Sequence, residues 1–192
     1  MGKIVIFENV TLDGVMQAPA APEEDTRGGF AHGGWAAPYA DEVMGENAAK
    51  SMATTQALLF GRRTYEQFSS FWPQQADGNP FTEVLDNTRK YVVSTTLTDP
   101  LPWVNSSLLA SVDELTDVKQ RLDGDLVVLG SGELAQELIR RQLVDRYVLL
   151  IHPLTVGSGA KLFREGDPAG ALRLTDSLTT GTGVVIATYT TA

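Results

Sequence analysis

The chain has no cysteine, which excludes a disulfide framework and thiolate chemistry. It has two histidines, His32 and His152, far apart and without obvious ligand partners, so no metal is expected. Neither lies near a G-x-S-x-G turn, and no Ser/His/Asp nucleophile can be read. Positive charge is also scarce: 15 Lys and Arg stand against 24 Asp and Glu, for a net charge of −9. No basic face remains to neutralise phosphates or anionic headgroups, which argues against nucleic-acid and membrane partners. Apolar runs stay well short of the roughly 20 residues that span a bilayer. The N-terminal MGKIVIFENV has too short an apolar part for a secretory signal and lacks the Ser or Thr of a myristoylation signal. A cytoplasmic location is the expectation.

What is present is a regular alternation. Strand-like runs occur at KIVIF (3–7), ALLF (57–60), KYVVS (90–94), LVVL (126–129), RYVLLI (146–151) and VVIATY (184–189). Most are short, apolar and β-branched, as strands covered on both faces should be. Helices are expected over Tyr39–Thr54, Thr64–Phe71, Val112–Leu122 and Glu133–Leu143. Thr64 with Gln67, and Ser111 with Glu114, have capping-box spacing. TTGTGVVIATY reads as the turn and second strand of an antiparallel hairpin. These elements predict one α/β domain over residues 1–192, with a central mixed, mostly parallel sheet flanked by helices and a C-terminal hairpin. Residues 17–37 form a long loop, expected to be a lid or one wall of a pocket, and 73–83 form a second polar loop.

Against the acidic background, LLFGRRTYE (58–66) concentrates positive charge where a strand meets a helix. Gly61 permits close backbone approach, while Arg62, Arg63 and Thr64 add two guanidiniums and a hydroxyl to the free N–H groups of a helix start. That set suits a phosphate; the alternative is a solvated arginine pair beside a cap. LVVLGSGELAQELI repeats the strand–glycine–helix arrangement at Gly130, Ser131 and Gly132, followed by Glu133 and Leu134. It matches G-x-G-x-x-A loosely but lacks an acidic residue ending the next strand. It reads as a pyrophosphate turn or as a plain strand–helix connection. Ser94, Thr95 and Thr96 place three hydroxyls at the end of KYVVS, either for ordinary turn chemistry or for a second phosphate.

The order TLDG (11–14), LLFGRRTYE, KYVVSTTL, LVVLGSGELAQELI and LVDRYVLLIHPLTVGSGAKLF resembles the dihydrofolate reductase superfamily. It is most similar to the RibD C-terminal type of bacterial riboflavin-biosynthesis reductases. The resemblance covers nearly the whole chain and implies a dihydrofolate reductase-like fold, an NADPH site and a homodimer. It implies that Gly61–Thr64 and Ser94–Thr96 hold the adenosine 2′-phosphate region and that Gly130–Leu134 hold the pyrophosphate. The zinc deaminase often joined to such reductases needs a P-C-x-x-C ligand set, and this chain has no cysteine.

The expected activity is therefore NADPH-dependent reduction of a small conjugated or heterocyclic substrate such as a pterin. The alternatives are a ribosylaminopyrimidine phosphate as substrate, or a non-catalytic NADP-binding protein. In folate reductases a carboxylate on the helix after the first long loop promotes substrate protonation. Asp41 lies at about that place, although a helix-start acid explains it equally. Asp13 in TLDG reads as a turn residue beside Gly14. Trp35, Tyr39 and Trp72 are candidates to line a flat apolar substrate pocket, with core packing as the alternative.

Overall fold

The computed structural model describes residues 1–75 and 80–192. In chain order the elements are β1 (Lys3–Thr11), α1 (Glu42–Thr54), β2 (Thr55–Gly61), α2 (Arg62–Phe71), α3 (Pro80–Asn87), β3 (Arg89–Val93), β4 (Ser106–Leu109), α4 (Leu115–Arg121), β5 (Asp125–Leu129), α5 (Gly132–Arg140), β6 (Arg146–His152), β7 (Leu172–Thr179) and β8 (Val185–Thr191). All eight strands form one sheet in the order β4-β3-β2-β5-β1-β6-β8-β7. The pairings from β4 through β6 are parallel, and β8 pairs antiparallel with both β6 and β7. The expected mixed sheet with a C-terminal hairpin is the fold.

Period-two alternation divides the core into two layers. Ile4 and Ile6 of β1 face the layer of Leu115, Val118, Leu134 and Leu138 from α4 and α5. Val5 faces the opposite layer, with Tyr65 and Phe68 of α2 and Leu85 of α3. Fully burying one such aliphatic side chain contributes about 1.5–3 kcal/mol, so both helical layers are held firmly to the sheet. The C-terminal ends of β1, β2 and β5 meet at the middle of the sheet, where ligands of open α/β folds bind.

Three local expectations change. The polar loop expected over 73–83 includes the start of α3; residues 76–79 lie outside the described residues. The helix expected from Thr64 begins two residues earlier, with Gly61 at its N-cap and no side-chain cap. Thr64 is therefore inside the first turn, and its Oγ1 accepts a hydrogen bond from Ser131 N–H at 3.1 Å. The Ser111–Glu114 capping box is present. One core position is a lysine: Lys90 Nζ donates to the carbonyls of Asp86, Thr88 and Val104, tying the α3 end to the loop before β4.

Candidate functional site

The two glycine turns are joined directly. Ser131 N–H donates to Thr64 Oγ1, and Gly61 N–H donates to Ser131 Oγ at 3.1 Å. Gly130 and Ser131 both have left-handed backbone, at φ 61° and φ 59°. This kink turns the chain out of β5 so that α5 starts facing the β2–α2 turn. The Ser131 side chain does not cap α5, and by helix geometry the N–H groups of its first turn lack intrahelical acceptors.

A cavity of about 460 Å³ opens at this junction. Gly61, Arg62, Arg63 and Thr64 line it from the β2–α2 turn, Ser94, Thr95 and Thr96 from the end of β3, and Ser131, Gly132, Glu133 and Leu134 from α5. Gly130 lies on the adjoining cavity. The hydroxyls differ in availability. Ser94 Oγ accepts from Thr96 N–H and Leu97 N–H, holding the turn, whereas Thr95 and Thr96 are exposed.

The guanidiniums are paired, but weakly. Arg62 binds Glu66 one turn along α2 at 2.8 Å, and Arg63 binds Glu133 at 2.7 Å. Arg27, from the long loop, binds the same Glu133 oxygen at 2.5 Å. Burial by itself would raise the Glu133 carboxyl, but the Arg27 and Arg63 guanidiniums together more than offset it and hold the group below its ordinary range. Exposed ion pairs contribute only about 0–1 kcal/mol, so an incoming anion can replace either carboxylate at small cost.

An inner cavity of about 680 Å³ shares Arg27, Arg63, Thr64 and Ser131–Glu133 with the first and extends to Phe7, Glu8 and Asn9 on β1. Residues 17–28 supply one wall, as expected for the long loop. Gln17 organises that wall: its amide donates to the carbonyls of Asp25 and Arg27 and accepts from Ala160 N–H. Met16 lies over the glycine turn. A Cβ placed on Gly132 would sit 2.4 Å from its terminal methyl, so the close approach expected there is covered by a movable side chain.

Glu8 is the unusual group in this cavity. It is 4% exposed, and the hydrogen bond its carboxyl accepts, at 3.1 Å, comes from its neighbour Asn9 N–H. Burial, with Glu24 nearby, pushes its pKa up to about 8, so it is largely protonated at neutral pH.

Asp41 is not brought to either cavity. It is the N-cap of α1, its carboxylate accepting from Met44 N–H at 2.9 Å and Thr182 N–H at 3.3 Å. Those donors, Met44 first, hold its pKa below the ordinary value. A carboxyl held ionised in this way is a poor proton donor. Asparagine caps about as well as aspartate, so Asp41→Asn is expected to leave thermal unfolding near wild type, while Asp41→Ala lowers the midpoint. Equal midpoints for all three in a scan would contradict the capping role.

The expected aromatic substrate residues are also used for packing. Trp35 is buried, donates from Nε1 to the Gln17 carbonyl at 2.7 Å and meets the His152 ring edge-on. Tyr39 stacks edge-on against the same ring. Trp72 packs with Phe68, Phe71 and Phe81. None of the three lines either cavity. Asp13 is a turn residue, as expected, and also accepts from Val156 and Gly157 N–H.

Glu8, Met16, Arg27 and Gln136 line the site but are absent from the residues expected there. Two left a signal in the sequence: Glu8 interrupts the apolar run of a central strand, and Gln136 falls on the buried face of α5.

The fold and motif order agree with the RibD C-terminal domain, whose family model matches residues 2–186. The chain belongs to that family. The uncharacterised Bacillus subtilis (strain 168) protein YwjB is 24% identical over 179 residues, covering 90% of this chain and 88% of YwjB. Its counterpart YyaP, from the same strain, is 27% identical over 138 residues, 69% of this chain and 72% of YyaP. Among solved structures, a Shewanella sp. PV-4 protein assigned provisionally to riboflavin biosynthesis aligns with TM-score 0.71 and 22% identity over 99% of both chains. Dihydrofolate reductase from Enterococcus faecalis, complexed with NADP(H) and RAB-propyl, aligns with TM-score 0.62 and 15% identity, over 99% of this chain and 96% of the reductase. At these identities the structural likeness establishes the dihydrofolate reductase-like fold.

Proposed function

We propose that this protein is an NADPH-dependent oxidoreductase that reduces a small, neutral, conjugated or heterocyclic substrate. The observation that carries the reading is the convergence of the Gly61–Thr64, Ser94–Thr96 and Ser131–Leu134 segments on one cavity. The donor chemistry there fits a phosphorylated dinucleotide. The α5 N-terminus offers N–H groups and a partial positive charge to a pyrophosphate. Arg62 and Arg63 offer planar guanidiniums to a 2′-phosphate, and Thr95 and Thr96 add hydroxyls. Bound there, NADPH supplies a hydride. The chain's own residues position the two reactants, and the 17–28 wall limits water entry to the inner cavity.

The inner cavity favours a neutral substrate over a ribosyl phosphate. Glu23, Glu24, Asp25 and Glu133 line it beside Arg27, Arg63 and Arg164, and that excess of negative charge repels a second phosphate. A homodimer belongs to the same proposal, tested by light scattering against the monomer mass of 20.7 kDa.

The cofactor assignment is tested with Arg63→Ala. A charge-assisted hydrogen bond contributes about 1.5–3 kcal/mol, roughly tenfold to a hundredfold in affinity. NADPH binding, followed by nucleotide fluorescence, should weaken by that factor while NADH binding changes little. Equal losses for both nucleotides would remove the 2′-phosphate assignment.

A further inference from the structure

The inner cavity contains two buried polar groups that internal bonding leaves incompletely used. Glu8 has no ion-pair partner among the described residues, and Asn9 N–H donates to its carboxyl. The second group is Gln136 on α5, 1% exposed. Its Nε2 donates to the Lys161 carbonyl at 2.6 Å, which fixes the orientation of the amide. Its Oε1 is buried without a hydrogen-bond partner among the described residues. A buried carboxyl and an orphaned amide oxygen both cost stability, and apolar residues would fill the same volume without that cost.

We propose that Glu8 and Gln136 recognise the edge of a neutral nitrogen heterocycle, Glu8 donating its carboxyl O–H to an unprotonated ring nitrogen and Gln136 Oε1 accepting from an adjacent N–H. The proposal rests on the reductase reading in taking the inner cavity as the substrate site. The charged groups facing this cavity are Glu23, Glu24, Asp25 and Arg27 from the long loop, Arg63 from α2, Glu133 from α5, and Arg164 beyond β6. Arg27 is engaged by Asp25 and Glu133, and Arg63 by Glu133. Glu24 raises the Glu8 pKa rather than lowering it. The proton therefore stays on Glu8 at neutral pH, and the pair presents one donor and one acceptor. This pattern selects against anionic rings and against hydrocarbons, which leave both groups unsatisfied.

The probe is isocytosine, a neutral pyrimidine with a ring nitrogen beside an amino group, its binding followed by ligand-observed NMR from pH 6 to 9. Binding needs the protonated carboxyl, so wild-type affinity should fall about tenfold between pH 7 and 9, following the competent fraction. Glu8→Gln keeps a donor that cannot ionise and should bind with a flat profile over the same range. Gln136→Leu should bind about tenfold more weakly at every pH. Difference infrared spectra of wild type against Glu8→Gln should show a protonated carboxyl at pH 7, and this measurement requires no ligand. Superimposable pH profiles for wild type and Glu8→Gln, no wild-type binding, or an ionised Glu8 at pH 6 would each overturn the proposal. NADPH affinity, titrated separately, should be unchanged in both variants. Failure of wild type to bind NADPH would count against the reductase reading and leave the isocytosine result intact.

Discussion

Glu8→Gln raises the thermal unfolding temperature, and the gain widens as pH rises from about 4.5 to 8. The unfolded chain releases the Glu8 proton near the ordinary value of 4.5, whereas the folded chain holds it to about 8. Between those values the folded state binds more protons, so wild-type stability falls as pH rises and levels off above pH 8. Below pH 4.5 both states are protonated and the two proteins should unfold together. Each pKa unit corresponds to about 1.4 kcal/mol, which puts an upper bound of roughly 5 kcal/mol on the gain at high pH. Half of that would move the midpoint by roughly 5–10 °C for a chain of this size. A constant offset between the two proteins from pH 4 to 9 would show that Glu8 is not the titrating group. A residue that weakens its own fold at working pH is usually retained for what it does to a ligand.

Gly132→Val should abolish detectable binding of both NADPH and NADH while leaving the unfolding temperature close to wild type. Gly132 does not have left-handed backbone, so a branched residue is sterically permitted by the main chain. The new Cβ would displace the Met16 methyl, which lies 2.4 Å from its position, and a methionine tip can move. The branch would then fill the space through which a pyrophosphate must reach the α5 N–H groups. Losing several such contacts together is expected to cost a hundredfold or more in affinity, since about 2.7 kcal/mol is already that factor. Unchanged dissociation constants for both nucleotides would make this turn a plain strand–helix connection. Equal loss here, set against the selective loss expected for Arg63→Ala, separates pyrophosphate from 2′-phosphate recognition.

The sequence by itself determined the sheet, because burial on both faces leaves continuous apolar runs that local reading detects. It missed β4, whose four residues Ser106–Leu109 include two serines, and α3, which is eight residues long and adjoins a polar loop; β7 (Leu172–Thr179), largely exposed, was implied as the first hairpin strand but not located. It also singled out the three turns for which phosphate binding is proposed, since glycine, hydroxyl and arginine at strand ends are local signals. Their gathering around one cavity required the strand order β3-β2-β5, which no spacing along the chain specifies. The same holds for the misread residues. Thr64 has capping spacing, but its hydroxyl is taken by Ser131, 67 positions away. Asp41 lies at the expected place for an acid, yet Met44 and Thr182 N–H groups hold it ionised at a helix start. Trp35 and Tyr39 are drawn into packing around His152, and Arg27 reaches Glu133 across 106 positions. Periodicity and turn chemistry are written into neighbouring residues. Which polar group is left buried beside a cavity with hydrogen-bonding capacity unused among the described residues, as Glu8 and Gln136 Oε1 are, depends on contacts between distant segments, and only the folded chain decides it.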